Sequence, residues 1–145
     1  MAVYTIGFTK KSAAEFFGAL KRAGVKRLLD VRLSNSSQLA AFTKKDDLAY
    51  FLQEILGANY KHEPLLAPTR EVLDRYKKQR GSWHDYEVAF LQLMKQRGIE
   101  SRLDRSLFDG PTVLLCSEAT AERCHRRLVL EYLRDHWGDL EIVHL

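Results

Sequence analysis

Cysteine is scarce in this chain, with two among 145 residues, and neither a CxxC pair nor an HExxH motif occurs. Secreted domains stapled by disulfides carry several cysteines, and structural zinc sites usually pair their ligands across short knuckles. Neither class fits, so no metal ligand set is expected, and in a reducing compartment the two thiols should stay unbridged. Nor is there an apolar run approaching the ~18 residues that cross a bilayer. The opening MAVYTIGF lacks the charged region and long apolar segment of a secretory signal, so it reads as a strand. A cytoplasmic protein with no membrane partner is expected. Proline is limited to three residues, repeats and low-complexity tracts are absent, and no break in composition suggests a linker.

What is present is an ordinary globular composition, 46% hydrophobic and 29% charged. A chain of this length buries roughly 70% of its unfolded surface, enough for one core, and residues 1–145 are read as a single domain. The formal net charge of +4 leans toward anionic partners, from nucleotides to nucleic acid, but many proteins that bind neither share it.

Hydrophobic periodicity orders the chain. Val3–Ile6 is a strand closed by Gly7. Ser12 and Glu15 make a capping box that opens a helix, with Ala13, Phe16, Phe17 and Leu20 inward and Gly24 as the stop. Leu28–Val31 is a second strand, completing a βαβ unit with a parallel pair. Residues 33–43 are polar and aperiodic, a loop of the functional kind. Leu48, Phe51, Leu52, Ile55 and Leu56 restore a helical stripe, Asn59–His62 is a short third strand, and helical stretches follow at 69–79, 82–96 and, more weakly, 99–108. In the middle one, Trp83, Tyr86 and Phe90 face the core and are not a base-stacking platform. After the Gly110-Pro111 turn, residues 112–116 read as a buried strand. From Ala121 the period predicts a helix to Trp137, with Val129, Tyr132, Leu133, His136 and Trp137 on its apolar face. Glu141–Leu145 is a last strand. Strands alternating with helices predict one three-layer α/β/α domain, Rossmann-like, around a mostly parallel sheet of about five strands. Such a sheet delivers its strand C-termini to one edge, where Gly7, Asp30-Val31-Arg32, His62 and Cys116-Ser117-Glu118 should meet.

The segment LLCSEATAERCHRRL, residues 114–128, carries the densest chemistry, with both cysteines, Glu118, His125 and Arg126 around one helix start. Cys116, facing that terminus and Arg126, has its thiolate favoured and is a candidate nucleophile; the alternative is an inert buried cysteine. A phosphatase loop of this type needs an arginine at position 122, where the chain has Glu122. His125 sits where the helix dipole disfavours imidazolium, so it is either a neutral base or acceptor at the site, or a core histidine bonded to backbone. Glu118 suits a general acid or base, or a structural partner of Arg126 or Arg32. Asp30 and Arg32 point to one side of their strand, as an ion pair or with Arg32 on a ligand anion. Lys10, Lys11, Lys44 and Lys45 form a basic rim, either a solvated surface or a guide for a polyanion.

The motifs DVRLSNSSQLAAF, YKHEPLLAPTREVLDRYKK, GSWHDYEVAF, LLCSEATAERCHRRLVLEYL and EIVHL, in that order, resemble the domain of unknown function family 488. That resemblance implies a compact Rossmann-like α/β domain and supplies no reaction. Many members have a proline where this chain has Asn35, which places it in a branch with a more polar loop.

Taken residue by residue, the expectation is a domain that binds a small anionic or nucleotide-like ligand at the C-terminal edge of its sheet. Asp30, Arg32, Ser37 and Arg126 are the ligand contacts. Cys116, Glu118 and His125 are the catalytic candidates, for hydrolysis or group transfer on a nucleotide or nucleoside derivative. Fold analogy alone carries the nucleotide part, and no motif identifies a cofactor. Two other classes compete: a non-catalytic nucleic-acid-binding or adaptor module using the basic rim, and a structural zinc protein built on Cys116, Glu118, Cys124 and His125.

Overall fold

Along the chain run β1 (Ala2–Gly7), α1 (Ala13–Arg22), β2 (Arg27–Asp30), α2 (Lys45–Leu56), β3 (Asn59–His62), α3 (Arg70–Lys77), α4 (Trp83–Arg97), α5 (Ile99–Arg102), β4 (Thr112–Cys116), α6 (His125–Trp137) and β5 (Glu141–His144). They are seen in a computed structural model that describes residues 2–36, 38–118 and 120–145, with only the backbone of 38–40. The expected ligand contact Ser37 therefore lies outside the described residues.

The strands form one all-parallel sheet in the order β3-β2-β4-β1-β5. Burial explains that order. Every residue of β4 is buried, as a parallel strand covered on both faces requires, and it takes the centre. β3 alternates between exposed and half-buried residues, β5 is exposed at both ends and half-buried between them, and these two take the edges, where charge discourages pairing with other chains. Alternation of side chains then splits the core in two. Ile6, Leu28, Val113 and Leu115 pack under Phe16 and Leu20 of α1 and Leu48 and Leu52 of α2. Val3, Leu29, Leu114 and Cys116 pack under Phe90 and Met94 of α4 and Leu130 and Leu133 of α6. Helices on both faces of a five-strand sheet make the three-layer α/β domain the sequence predicts.

Local signals act as expected in α1, where the Ser12 hydroxyl accepts from the Glu15 N–H at 3.1 Å and the Glu15 carboxylate accepts from the Ser12 N–H at 3.0 Å. Three expectations change. The stretch 99–108 is not one helix: Leu103 is extended, at ψ 132°, and separates α5 from a 3₁₀ turn at Arg105–Phe108. Helix α6 begins at His125 and not at Ala121, because Cys124 is extended, at φ −140° and ψ 140°, and the residues before it turn back toward β4. Its buried residues are His125, Arg126, Leu128, Val129, Leu130 and Leu133; His136 is exposed and stacks on Tyr132 with ring centroids 4.3 Å apart.

Candidate functional site

All five strands end at one edge of the sheet, but their exits leave toward different faces. The chain leaves β1 and β2 toward α1 and α2, and it leaves β3 and β4 toward α3 and α6. Between the exits of β2 and β4, on the α3/α4/α6 side, lies a crevice of about 260 Å³, at the kind of reversal where open α/β sheets bind ligands. Its floor is Cys116, Cys124 and His125; Tyr76, Trp83 and Tyr86 form an aromatic wall; Arg70, Lys77 and Arg123 supply cations against the single carboxylate of Glu118, and Arg32 also lines it. Trp83 stacks on Tyr86 at 5.3 Å, and Tyr76 lies 5.0 Å from Tyr86. Burial raises the Tyr86 pKa, with the charge of Glu118 nearby adding to the shift, so the phenol stays protonated. Trp83 and Tyr86, expected as core residues only, belong to both the core and this wall.

The floor is built by parity and by a turn. Cys116 is the last residue of β4 and points to the α4/α6 face together with Leu114. The turn after Ser117 returns so that Cys124, immediately before α6, meets it, and the two are joined by a disulfide. This overturns the expectation of unbridged thiols: eight residues separate the cysteines in sequence, yet the return of the chain puts their sulfurs in contact. A bridged Cys116 is no nucleophile until it is reduced. His125 is buried, and its Nε2 lies 2.7 Å from the Val31 carbonyl oxygen. A carbonyl only accepts, so Nε2 carries the proton and the lone pair is on Nδ1. Burial pushes the pKa of His125 down to about 4, against the weaker pull of the Val31 carbonyl, so the ring is neutral.

Arg126 is wholly buried and lies behind the floor. Its Nη1 donates to Cys116 Sγ at 3.1 Å and to the Glu118 carbonyl at 2.7 Å; its Nε has no partner among the described residues. Burial lowers its pKa to about 10, with Glu118 opposing the shift. It does not reach the crevice mouth as expected. The end of β1 closes over it: a Cβ on Gly7 would fall 1.5 Å from the Glu118 carbonyl oxygen and 2.9 Å from Arg126 Nη1, so only glycine fits there. Glu118, read as a general acid or base or as a partner of Arg126 or Arg32, directs its carboxylate to Lys77 of α3 at 2.5 Å across the mouth.

Asp30 also lies outside the crevice. It shares the parity of Leu28, so it faces the α1/α2 side, fully buried. Its carboxylate accepts from Arg32 Nε and Nη2, both at 2.8 Å, from the Arg32 N–H at 3.1 Å and from the Tyr60 hydroxyl at 2.5 Å. Arg32 also donates to the Thr43 hydroxyl and carbonyl, at 3.1 and 2.7 Å. Arg32 lines the crevice as a residue, but four of the five N–H groups of its guanidinium are taken by Asp30 and Thr43. Of the expected set, then, Arg32, Cys116, Glu118 and His125 share the crevice, while Asp30 and Arg126 brace it from behind. Arg70, Tyr76, Lys77 and Arg123 were missed. Arg70, Lys77 and Arg123 are exposed and Tyr76 is half-buried, on helix and turn surface with no motif spacing, and the one available signal was Tyr76 beside Lys77 at the end of a short amphipathic helix.

The fold and site define an α/β domain with a cationic, aromatic-walled crevice at its strand ends. Residues 12–133 match the family described as Domain of unknown function DUF488, and the chain belongs to that family. No curated protein and no solved structure matches it.

Proposed function

We propose that the protein binds a nucleotide-like anion in this crevice and hydrolyses it or transfers a group from it, in a reducing, cytoplasmic setting. The observation that carries the reading is the meeting of cations and aromatic rings on one concave surface. Arg70 and Arg123 are exposed there and make no salt bridge among the described residues, so their charges are available to a phosphate. Tyr76, Trp83 and Tyr86 offer ring faces and edges to a base. Below them lie the groups suited to chemistry: the Cys116 sulfur, which Arg126 favours as a thiolate once reduced, and a neutral imidazole.

Binding is tested through Trp83 emission in a Trp137→Phe background, titrated with AMP and separately with inorganic phosphate. AMP should quench it and phosphate should compete. Replacing Arg70 and Arg123 by Ala should weaken AMP by roughly 10- to 100-fold, the worth of one or two charged hydrogen bonds. No change in emission up to about 1 mM AMP, where binding is worth only about 4 kcal/mol, would remove the reading.

A further inference from the structure

Cys116, Cys124 and His125 are all buried, and each offers a ligand atom within 4.8 Å of the others'. Their surroundings match what a metal ligand set needs. The His125 Nε2–H is held by the Val31 carbonyl at 2.7 Å, which fixes the ring and leaves Nδ1 as donor; metal-bound histidines are almost always oriented in this way. Arg126 donates to Cys116 Sγ at 3.1 Å and makes no salt bridge among the described residues, so a Cys116 thiolate is the counter-charge that would offset its burial.

We propose that, when reduced, Cys116, Cys124 and His125 bind a divalent cation of the zinc class, with the fourth coordination position open to the crevice. Two sulfurs and one imidazole nitrogen are a borderline-soft set that favours zinc over calcium or magnesium. The paired and metal-bound forms are two states of one site. A dithiol reductant delivers two electrons and two protons to the disulfide, closing to a disulfide itself, and the cation then displaces both protons from the thiols. The Glu118 carboxylate is engaged by Lys77 and stands outside the cluster. All three ligands line the crevice, so the fourth position falls to water or to a ligand oxygen. That inference does not depend on the nucleotide reading; if both held, Cys116, Cys124 and His125 would hold the ion, and it would supply an activated water for hydrolysis.

The test is a cobalt(II) titration of the whole protein, reduced with a phosphine and desalted without air, with no nucleotide present. One equivalent should bind with a thiolate-to-cobalt charge-transfer band and the intense visible bands of a tetrahedral site. Zinc should bleach those bands and shield both thiols from a disulfide reagent. Cys124→Ser should abolish the charge-transfer signal or weaken binding by at least tenfold, and His125→Ala should weaken it similarly. Absence of the charge-transfer band in the reduced wild type overturns the proposal whatever the variants do. So does cobalt affinity in a folded Cys124→Ser variant equal to that of the wild type. Because nucleotide is left out, failure here leaves the AMP titration unaffected, and failure there leaves this result standing.

Discussion

Asp30 accepts four hydrogen bonds with none of its surface exposed, so its charge is satisfied from within the protein. The alternation of side chains along β2 decides this, because it turns Asp30 toward α2 and away from the crevice. Asp30 and Arg32 lie on the same side of their strand and pair, as the period of two predicts. No local pattern encodes the facing Tyr60, one strand away in space but thirty residues away in sequence, which together with Thr43 turns the pair into a closed network. Removing one partner of a buried pair leaves the other charge uncompensated. Asp30→Asn should therefore cost about 3 kcal/mol of stability, read by urea unfolding, while AMP affinity of the folded fraction stays within about threefold, under 1 kcal/mol. Full stability with a tenfold loss of affinity would instead place Asp30 at the ligand.

At the scale of elements, the strands and capped helices were legible because their signals are local. Asn59–His62 and Thr112–Cys116 have the bounds their composition suggests, and the capping box at Ser12 forms both of its bonds. The start of α6 was not legible, since helix propensity in Ala121–Cys124 competes with a turn whose partners lie on other elements. Those partners are found at the end of β1. The Thr9 N–H donates to the Ser117 carbonyl at 3.2 Å, the Thr9 hydroxyl donates to the same oxygen, and Gly7 passes beneath the Glu118 carbonyl. The loop that carries the floor of the crevice is thus pinned by the β1 exit. Gly7→Ala must move backbone, not a flexible side chain, because the clash is with a carbonyl. Forced overpacking of this kind costs about 1–3 kcal/mol or more. Urea unfolding should show that loss, and the folded variant should bind cobalt at least tenfold more weakly if Cys116 moves with its loop. Unchanged stability would mean that the β1 exit and the 117–118 turn do not touch as described.

For the whole molecule, the sheet order β3-β2-β4-β1-β5 inserts a late strand between two early ones, which no local pattern encodes, and it sends the strand exits to opposite faces. The order separates two positively charged regions that the sequence could not tell apart. The crevice collects Arg70, Lys77 and Arg123 on the α3/α4/α6 side, whereas Lys44 and Lys45 lie beside Asp46 and Asp47 in a shallow hollow on the α2 side. Lys44 also approaches Asp47 at 3.7 Å, so the rim is partly neutralised where a polyanion would need it charged. A nucleic-acid module working through this rim would neutralise several phosphates there, and its affinity would fall steeply with salt. A crevice ligand with one phosphate group responds far less. The variant Lys44→Glu/Lys45→Glu should accordingly leave AMP affinity within about twofold, under 0.5 kcal/mol, while Arg70→Ala/Arg123→Ala weakens it strongly. Run at low and high salt beside a fluorescent single-stranded oligonucleotide, the same pair of variants separates the two classes. Tight oligonucleotide binding with a steep salt slope, lost in the lysine variant and kept in the arginine variant, would assign the protein to nucleic acid and leave the crevice without its proposed ligand.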